Sequence, residues 1–154
     1  MWVRWMAKIK VVLLVLTFLT LITTSLLLIL YELTIVYITV EGEQDLAIPV
    51  LCESRLKILF INSITGAPVE LSFKLGDVIR GEYIKTDEAT MEYYSSGVLD
   101  VESNFRSYES KTLKFCSMLG FKIRVENLLF KLEREYKGVC VELKTKRMLD
   151  VISN

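Results

Sequence analysis

The strongest constraint on this chain is an uncharged apolar run near its N-terminus. From Val11 to Tyr31 the sequence reads VVLLVLTFLTLITTSLLLILY, without a single charged residue. About 20 apolar residues in a helix cover the roughly 30 Å hydrocarbon core of a bilayer. We therefore predict that residues 1–32 comprise a basic cytoplasmic flank and a transmembrane anchor helix.

The charges on either side of this run predict its orientation. Three basic residues precede it and four acidic residues follow it: Arg4, Lys8 and Lys10, then Glu32, Glu41, Glu43 and Asp45. Basic flanks are retained in the cytoplasm, so we predict a single-pass protein of the cell membrane with its C-terminal part outside. A signal peptide cleaved near Thr23–Ser25 is the alternative. Cleavage there would expose LLLILY as a new N-terminus, which favours an uncleaved anchor.

Residues 33–154 read as an external β-rich domain. Short segments rich in Val, Ile, Phe and Tyr recur at intervals of roughly 8–12 residues, which is typical of all-β folds. Alternation is clearest in Val69–Leu75, where apolar and polar side chains take turns. We predict an antiparallel β-sandwich or barrel-like domain, including a strand at residues 89–96. Residues 127–136 fit either a strand or a short helix.

Composition argues against several functional classes. The chain has no histidine, which removes the commonest general base, Ser-His and Cys-His nucleophile pairs, and most zinc sites. We therefore expect no enzyme activity, no metal and no cofactor. After Tyr31 the chain carries 16 basic and 19 acidic residues, a net charge of −3. Nucleic acid and anionic lipid need a basic surface, so we expect neither as partner of the external domain.

Three cysteines lie in separate apolar segments: Cys52, Cys116 and Cys140. The first interpretation is that all three are buried small hydrophobic residues. The second is one disulfide with a single thiol left over, as expected for a domain outside the cytoplasm. Three pairings are then possible, and the sequence does not choose among them.

The best candidate for a site is the stretch FINSITGAPVELSF, residues 60–73. It reads as a hairpin in which Asn62, Ser63 and Glu70 interrupt the apolar pattern, and Pro68 opens the second strand. Asn62 shares a face with buried positions, so its amide needs a partner. That partner is either the backbone of the turn or a side chain such as Ser63 or Glu70. The nearby YYSSGVL, residues 93–99, could form a ligand rim or simply end a strand.

The same stretch resembles a small family of domains of unknown function, encoded beside TAXI-type TRAP transporters in bacteria and archaea. That family shows HSV, then PVEE and an aromatic residue, then a small-residue GAG motif. The matching residues are Ser63, Ile64, Pro68, Val69, Glu70 and Phe73, with Ser95–Gly97 in place of GAG. Asn62 stands where the family usually has histidine, so a role that needs histidine is absent here. Asparagine can keep a hydrogen bond.

Together these observations predict a non-enzymatic, membrane-anchored accessory or interaction protein. The resemblance implies association with a TAXI-type TRAP uptake system. Its partners would be the membrane and a protein, either a membrane transporter or an envelope component. A structural subunit of a cell-surface assembly is one alternative. The other is a small-ligand-binding β domain with a pocket near Glu70 and Gly97.

Overall fold

The chain folds into two compact units, Met1–Glu32 and Leu33–Asn154. The structure, a computed structural model, describes residues 2–51, 54–95, 101–127 and 131–152. The first unit is a single helix, α1 (Trp2–Glu32). Its segment Val12–Glu32 has 21 residues and a mean hydropathy of 2.6. The segment is therefore long and apolar enough to cross a membrane. The hydroxyls of its four threonines donate to carbonyls of the same helix, as Thr17 does to Leu14 at 2.9 Å, so they need no outside partner.

The second unit is mainly β, as predicted. Its described residues form ten strands and three short helices: β1 (Thr34–Val40), β2 (Glu43–Val50), β3 (Ser54–Ile61), β4 (Pro68–Leu75), β5 (Ile79–Lys85), α2 (Glu88–Ser95), α3 (Val101–Arg106), β6 (Glu109–Ser110), β7 (Thr112–Ser117), β8 (Phe121–Glu126), β9 (Lys131–Tyr136), β10 (Val139–Arg147) and α4 (Met148–Ile152). One sheet has the order β2-β1-β10-β7 and the other β6-β5-β4-β3-β8-β9. Neighbouring strands are antiparallel in both sheets, which confirms the predicted fold class.

The two sheets share one apolar core. Alternate residues of the central strands point inwards and are at most 2 % exposed: Val36, Ile38, Leu56, Ile58, Ile123, Val125, Val141 and Leu143. The period-two alternation of these strands explains why each sheet has one buried face and one wet face. The edge strands β2 and β9 are also tied, because Asp45 accepts hydrogen bonds from Arg134 at 2.8 Å and from the Tyr136 hydroxyl at 2.9 Å. Burial and that hydrogen bond raise the pKa of Tyr136 to about 12.

Residues 88–95 form helix α2, so the predicted strand there was wrong. The Thr90 N–H donates to the Asp87 carboxylate at 2.9 Å, which caps the first turn of the helix. Asp87 is exposed, and hydrogen bonding with Thr90 lowers the pKa of its carboxyl group. The aromatic and β-branched residues of this segment suggested a strand, but the cap decides for a helix. The ambiguous segment after residue 127 is a strand where described, because β9 pairs with β8 along its whole length.

A close backbone contact fixes α3 on the larger sheet. The Gly81 N–H donates to the Tyr108 carbonyl at 3.0 Å, and the Phe105 ring packs 5.0 Å from that of Phe73. A Cβ atom at Gly81 would overlap the backbone carbonyl oxygen of Phe105. Only glycine permits this approach of helix and strand.

We therefore expect Gly81→Ala to destabilise the domain by about 2 kcal/mol or more, the usual cost of forcing extra volume into a packed site. Thermal unfolding of the full-length protein in detergent, followed by circular dichroism, measures this. Gly76→Ala is the matched control, because a Cβ there meets only the Val78 carbonyl oxygen at 4.0 Å. Equal melting temperatures for the two variants would contradict the packing described here.

Candidate functional site

Three connections of the sandwich meet at one end, which we call the tip. They are the β3–β4 turn (residues 62–67), the β7–β8 connection (residues 118–120) and the β9–β10 turn (residues 137–138). The register brings them together, because Phe121 pairs with both Phe60 and Tyr136. The first residue of β1, Thr34, pairs with Arg147 at the other end of the sandwich. The chain therefore enters the domain at the end opposite to the tip.

A buried amide organises the β3–β4 turn. Asn62 is only 6 % exposed, and its Oδ1 accepts from the N–H groups of Ile64 at 2.8 Å and Thr65 at 3.1 Å. Its Nδ2 donates to the hydroxyl of Tyr94 at 2.8 Å. The Asn62 N–H also donates to the Ala67 carbonyl at 2.9 Å, which closes the turn. Both halves of the amide are thus satisfied, by the turn backbone and by a tyrosine that the sequence did not indicate as its partner.

A second hydrogen bond joins helix α2 to the same turn. The hydroxyl of Thr90 donates to the hydroxyl of Thr65 at 2.7 Å, and Thr90 is fully buried. Together with the bond between Asn62 and Tyr94, this contact holds α2 against the turn at two points. The β3–β4 turn and helix α2 therefore form one hydrogen-bonded unit at the tip.

Exposed apolar side chains collect around this bonded unit. Seven large hydrophobic side chains are strongly exposed in the described part of the second unit, and five of them surround one cavity of about 380 Å³ at the tip. We call these five the apolar tip: Ile61, Ile64, Tyr93, Met118 and Leu119, with exposed fractions of 47, 67, 48, 87 and 57 %. Apart from these five, the cavity lining includes Asn62, Ser63 and Tyr94, and no residue of it is charged.

A disulfide lies beside the apolar tip. Cys116 and Cys140 are opposite each other on β7 and β10 and are bonded. Cys116 is exposed and Cys140 only partly buried, so they are not the buried small hydrophobic residues of the first interpretation. Cys52 lies outside the described residues. Since Cys116 precedes Met118 by two positions, the bond anchors the connection that presents Met118 and Leu119.

Glu70 belongs to a different surface. It lies on the outer face of the larger sheet, where it accepts from the Tyr83 hydroxyl at 2.7 Å and pairs with the Lys57 ammonium at 3.3 Å. Burial opposes its ionisation, but the bonds from Tyr83 and Lys57 outweigh burial and lower its pKa. Burial likewise disfavours the charged form of Lys57, and Glu70 reverses this and raises the Lys57 pKa. Asn62 and Glu70 thus do not bond to each other, contrary to one of the two expectations for Asn62.

A groove of about 500 Å³ runs along the outer face next to Glu70. Its apolar lining includes Leu59, Ile61 and Leu119, and it contains Pro68, Val69 and Glu70 of the sequence motif. The motif is therefore divided: Asn62, Ser63 and Ile64 line the tip cavity, and Pro68, Val69 and Glu70 line the groove. Gly97 lies outside the described residues. Within the described parts of the chain, no three His, Cys, Asp or Glu side chains are grouped to hold a metal ion.

Met118 and Leu119 are not among the candidate site residues predicted from the sequence. These residues stand between strands β7 and β8, immediately before Gly120, where a solvent-exposed turn is expected to be polar. Two large apolar residues in such a position are the signal that could have identified them. Tyr94 was noted as a ligand rim, but its role as the partner of Asn62 depends on the helical conformation of α2.

Comparisons of the chain with protein-family models, with curated proteins and with solved structures found no match. The resemblance in residues 60–73 therefore rests on the motif alone.

We expect Asn62→Ala to lower the free energy of unfolding by about 2–3 kcal/mol, because two backbone N–H groups and a tyrosine hydroxyl lose their partner. Ser63→Ala is the control, since Ser63 is exposed and should tolerate the change to within about 0.5 kcal/mol. Thermal unfolding of both full-length variants tests this. A Ser63→Ala effect as large as that of Asn62→Ala would show that the turn is held differently.

A second prediction concerns pH. The lowered pKa of Glu70 means that its contribution to stability is present above the ordinary value of 4.5 and is lost as the pH falls below it. The wild-type melting temperature should therefore fall more steeply than that of Glu70→Gln between about pH 5 and pH 3. Parallel curves for the two proteins would contradict the bonds described for Glu70.

Proposed function

We propose that this chain is a non-enzymatic, single-pass membrane protein whose external β domain binds a protein partner through the apolar tip. One observation carries the proposal. Five large apolar side chains are exposed around one uncharged cavity, beside a turn whose Asn62 amide is hydrogen-bonded through both its oxygen and its nitrogen. Exposed apolar residues gathered in one place mark interaction sites more often than residues scattered singly.

The chemistry of the tip suits a protein partner. The cores of protein interfaces are poor in charge and rich in aromatic residues and Met. The tip offers Tyr93 and Met118 on a cavity without charged lining residues. It is also held in place before binding, by the Asn62 bonds and by the disulfide beside Met118, which lowers the entropy cost of association. The occupant we expect is an uncharged, apolar patch on another protein.

Two features support the external location of the domain. The basic residues before the uncharged run Val11–Tyr31 and the acidic residues after it favour a cytoplasmic N-terminus. The disulfide between Cys116 and Cys140 fits an oxidising compartment, because cytosolic thiols are kept reduced. These two observations are independent, since one concerns charge and the other redox chemistry.

The resemblance of residues 60–73 suggests which protein the partner is. On that basis we propose a membrane subunit of a TAXI-type TRAP uptake system, and the chain would be an accessory to it. A structural subunit of a cell-surface assembly is the alternative, with an envelope component as partner. A small-ligand-binding domain is a further candidate, supported by the groove beside Glu70. We rank it lower because Glu70 is already paired with Lys57 and bonded to Tyr83.

Site-specific photocrosslinking in native membranes tests the proposal. A photoreactive phenylalanine analogue replaces Met118 or Ile64 in the full-length protein, and the control carries it at Lys74, an exposed site on the outer face of the larger sheet. We expect one discrete crosslinked protein from both tip positions and none from Lys74, because only the tip is buried by the partner.

Mass spectrometry of the crosslinked band separates the candidates. A transporter subunit supports the uptake system, and an envelope component supports the structural alternative. Crosslinks equally frequent at Lys74, or absent at both tip positions, would contradict a docking tip. A small molecule retained by the purified protein in native mass spectrometry, without any protein crosslink, would favour the ligand-binding groove instead.

A further inference from the structure

A cluster of basic side chains lies at the end of the sandwich where the chain enters the domain. We call it the basic corner, and it consists of Lys111, Lys144, Lys146 and Arg147. These residues line one cavity of about 570 Å³ together with Asp77, Thr112, Thr145 and Asp150. Lys144, Lys146 and Arg147 are at the end of β10, and Lys111 directly precedes β7. Four positive and two negative charges thus share one surface of a domain that is acidic as a whole.

Two of these four cations form ion pairs with carboxylates. Arg147 pairs with Asp77, and Lys144 is 3.2 Å from the carboxylate of Glu142. Lys146 lies 5.8 Å from the centre of the Tyr37 ring, and neither it nor Lys111 forms an ion pair with another described residue. All three lysines are exposed. They can therefore meet an external anion without breaking a strong existing contact.

The outer face of the larger sheet differs from the basic corner in how its positive charges are arranged. Its basic side chains alternate with glutamates, as Arg124 does with Glu133 at 2.7 Å and Lys57 with Glu70 at 3.3 Å. The positive charges of these pairs are compensated by carboxylates on the same face. The basic corner is thus a local excess of positive charge that the net charge of the domain conceals.

Covalent connectivity restricts where the corner can be. Helix α1 ends at Glu32 and β1 begins at Thr34, so Leu33 alone separates them. Consecutive Cα atoms are 3.8 Å apart, which limits the distance from Glu32 to Thr34 to about 7 Å whatever the conformation of the link. Thr34 pairs with Arg147, and paired residues are roughly 5 Å apart. Along the chain, the residue that pairs with Arg147 therefore follows the last residue of α1 by only two positions.

We infer that the basic corner binds the phosphate groups of anionic phospholipids in the leaflet at the end of α1. The headgroup layer is about 5–8 Å thick on each side of the hydrocarbon, and the lysine side chains extend several ångströms beyond the backbone. Each lysine near an anionic surface strengthens binding by roughly fivefold. The inference depends on α1 spanning a membrane but not on what binds the tip. It replaces the expectation, drawn from net charge, that anionic lipid is excluded.

Lysine acetylation of the full-length protein in nanodiscs tests the inference. One preparation contains phosphatidylcholine alone, and the other contains phosphatidylcholine mixed with phosphatidylglycerol. We expect Lys111, Lys144 and Lys146 to react about threefold or more slowly in the anionic discs, because bound phosphate shields them. The internal references are Lys74, Lys85 and Lys122, which should react at the same rate in both. The protection should disappear at about 1 M salt, where the Debye length is about 3 Å.

One further arm of the experiment decides what causes the protection. Soluble glycerol phosphate added to the phosphatidylcholine discs distinguishes a lipid headgroup from a free phosphate. Protection by it alone would assign the corner to a soluble phosphate and overturn the inference. Equal reaction rates in both kinds of disc would also overturn it.

A variant pair gives a second readout. Lys111→Gln, Lys144→Gln and Lys146→Gln together should reduce the phosphatidylglycerol that co-purifies with the protein by several-fold. The matched control changes Lys74, Lys85 and Lys122 to Gln, which removes the same charge from the other sheet. An equal loss of lipid in both triple variants would show that net charge matters and the corner does not.

Discussion

The side-chain amide of Asn62 connects the β3–β4 turn to helix α2. Its oxygen accepts from the turn backbone and its nitrogen donates to Tyr94 on α2, so turn and helix depend on one buried residue. An unsatisfied buried amide is costly, and this cost selects the turn conformation in which both ends of the amide are bonded. The apolar side chains around it gain a defined arrangement without contributing polar contacts themselves. Asparagine here has a structural role, which agrees with its capacity to donate and accept at once.

The features that follow from local chemistry were predictable from the sequence. Period-two alternation in Val69–Leu75 predicted the buried face of β4, and the uncharged run predicted α1. The turn-backbone partner of Asn62 was among the alternatives for the same reason, because an asparagine just after a strand commonly bonds the turn. Helix α2 was missed because its aromatic residues have strand propensity, and the competing cap at Asp87 is a single residue.

What depends on pairing between distant strands was not predictable. The tip cavity exists because Phe60 pairs with Phe121, which places residues 118–120 beside the β3–β4 turn. The basic corner exists because Lys144 pairs with Thr112, which places Lys111 beside the end of β10. No short stretch of the sequence indicates either strand register. The same reason separates Asn62 from Glu70: the two are eight positions apart, but Glu70 pairs with Leu59 and faces the outer side of the sheet.

The bond between Cys116 and Cys140 makes the stability of the domain depend on the redox state of its surroundings. The chain leaves the smaller sheet after β7, contributes β8 and β9 to the larger sheet, and returns as β10. The disulfide closes this excursion of 24 positions into a covalent ring that passes through both sheets. Closing a ring of this size removes unfolded-state entropy equivalent to about 3 kcal/mol. In a reducing compartment the ring stays open, and the folded domain loses this contribution to its stability.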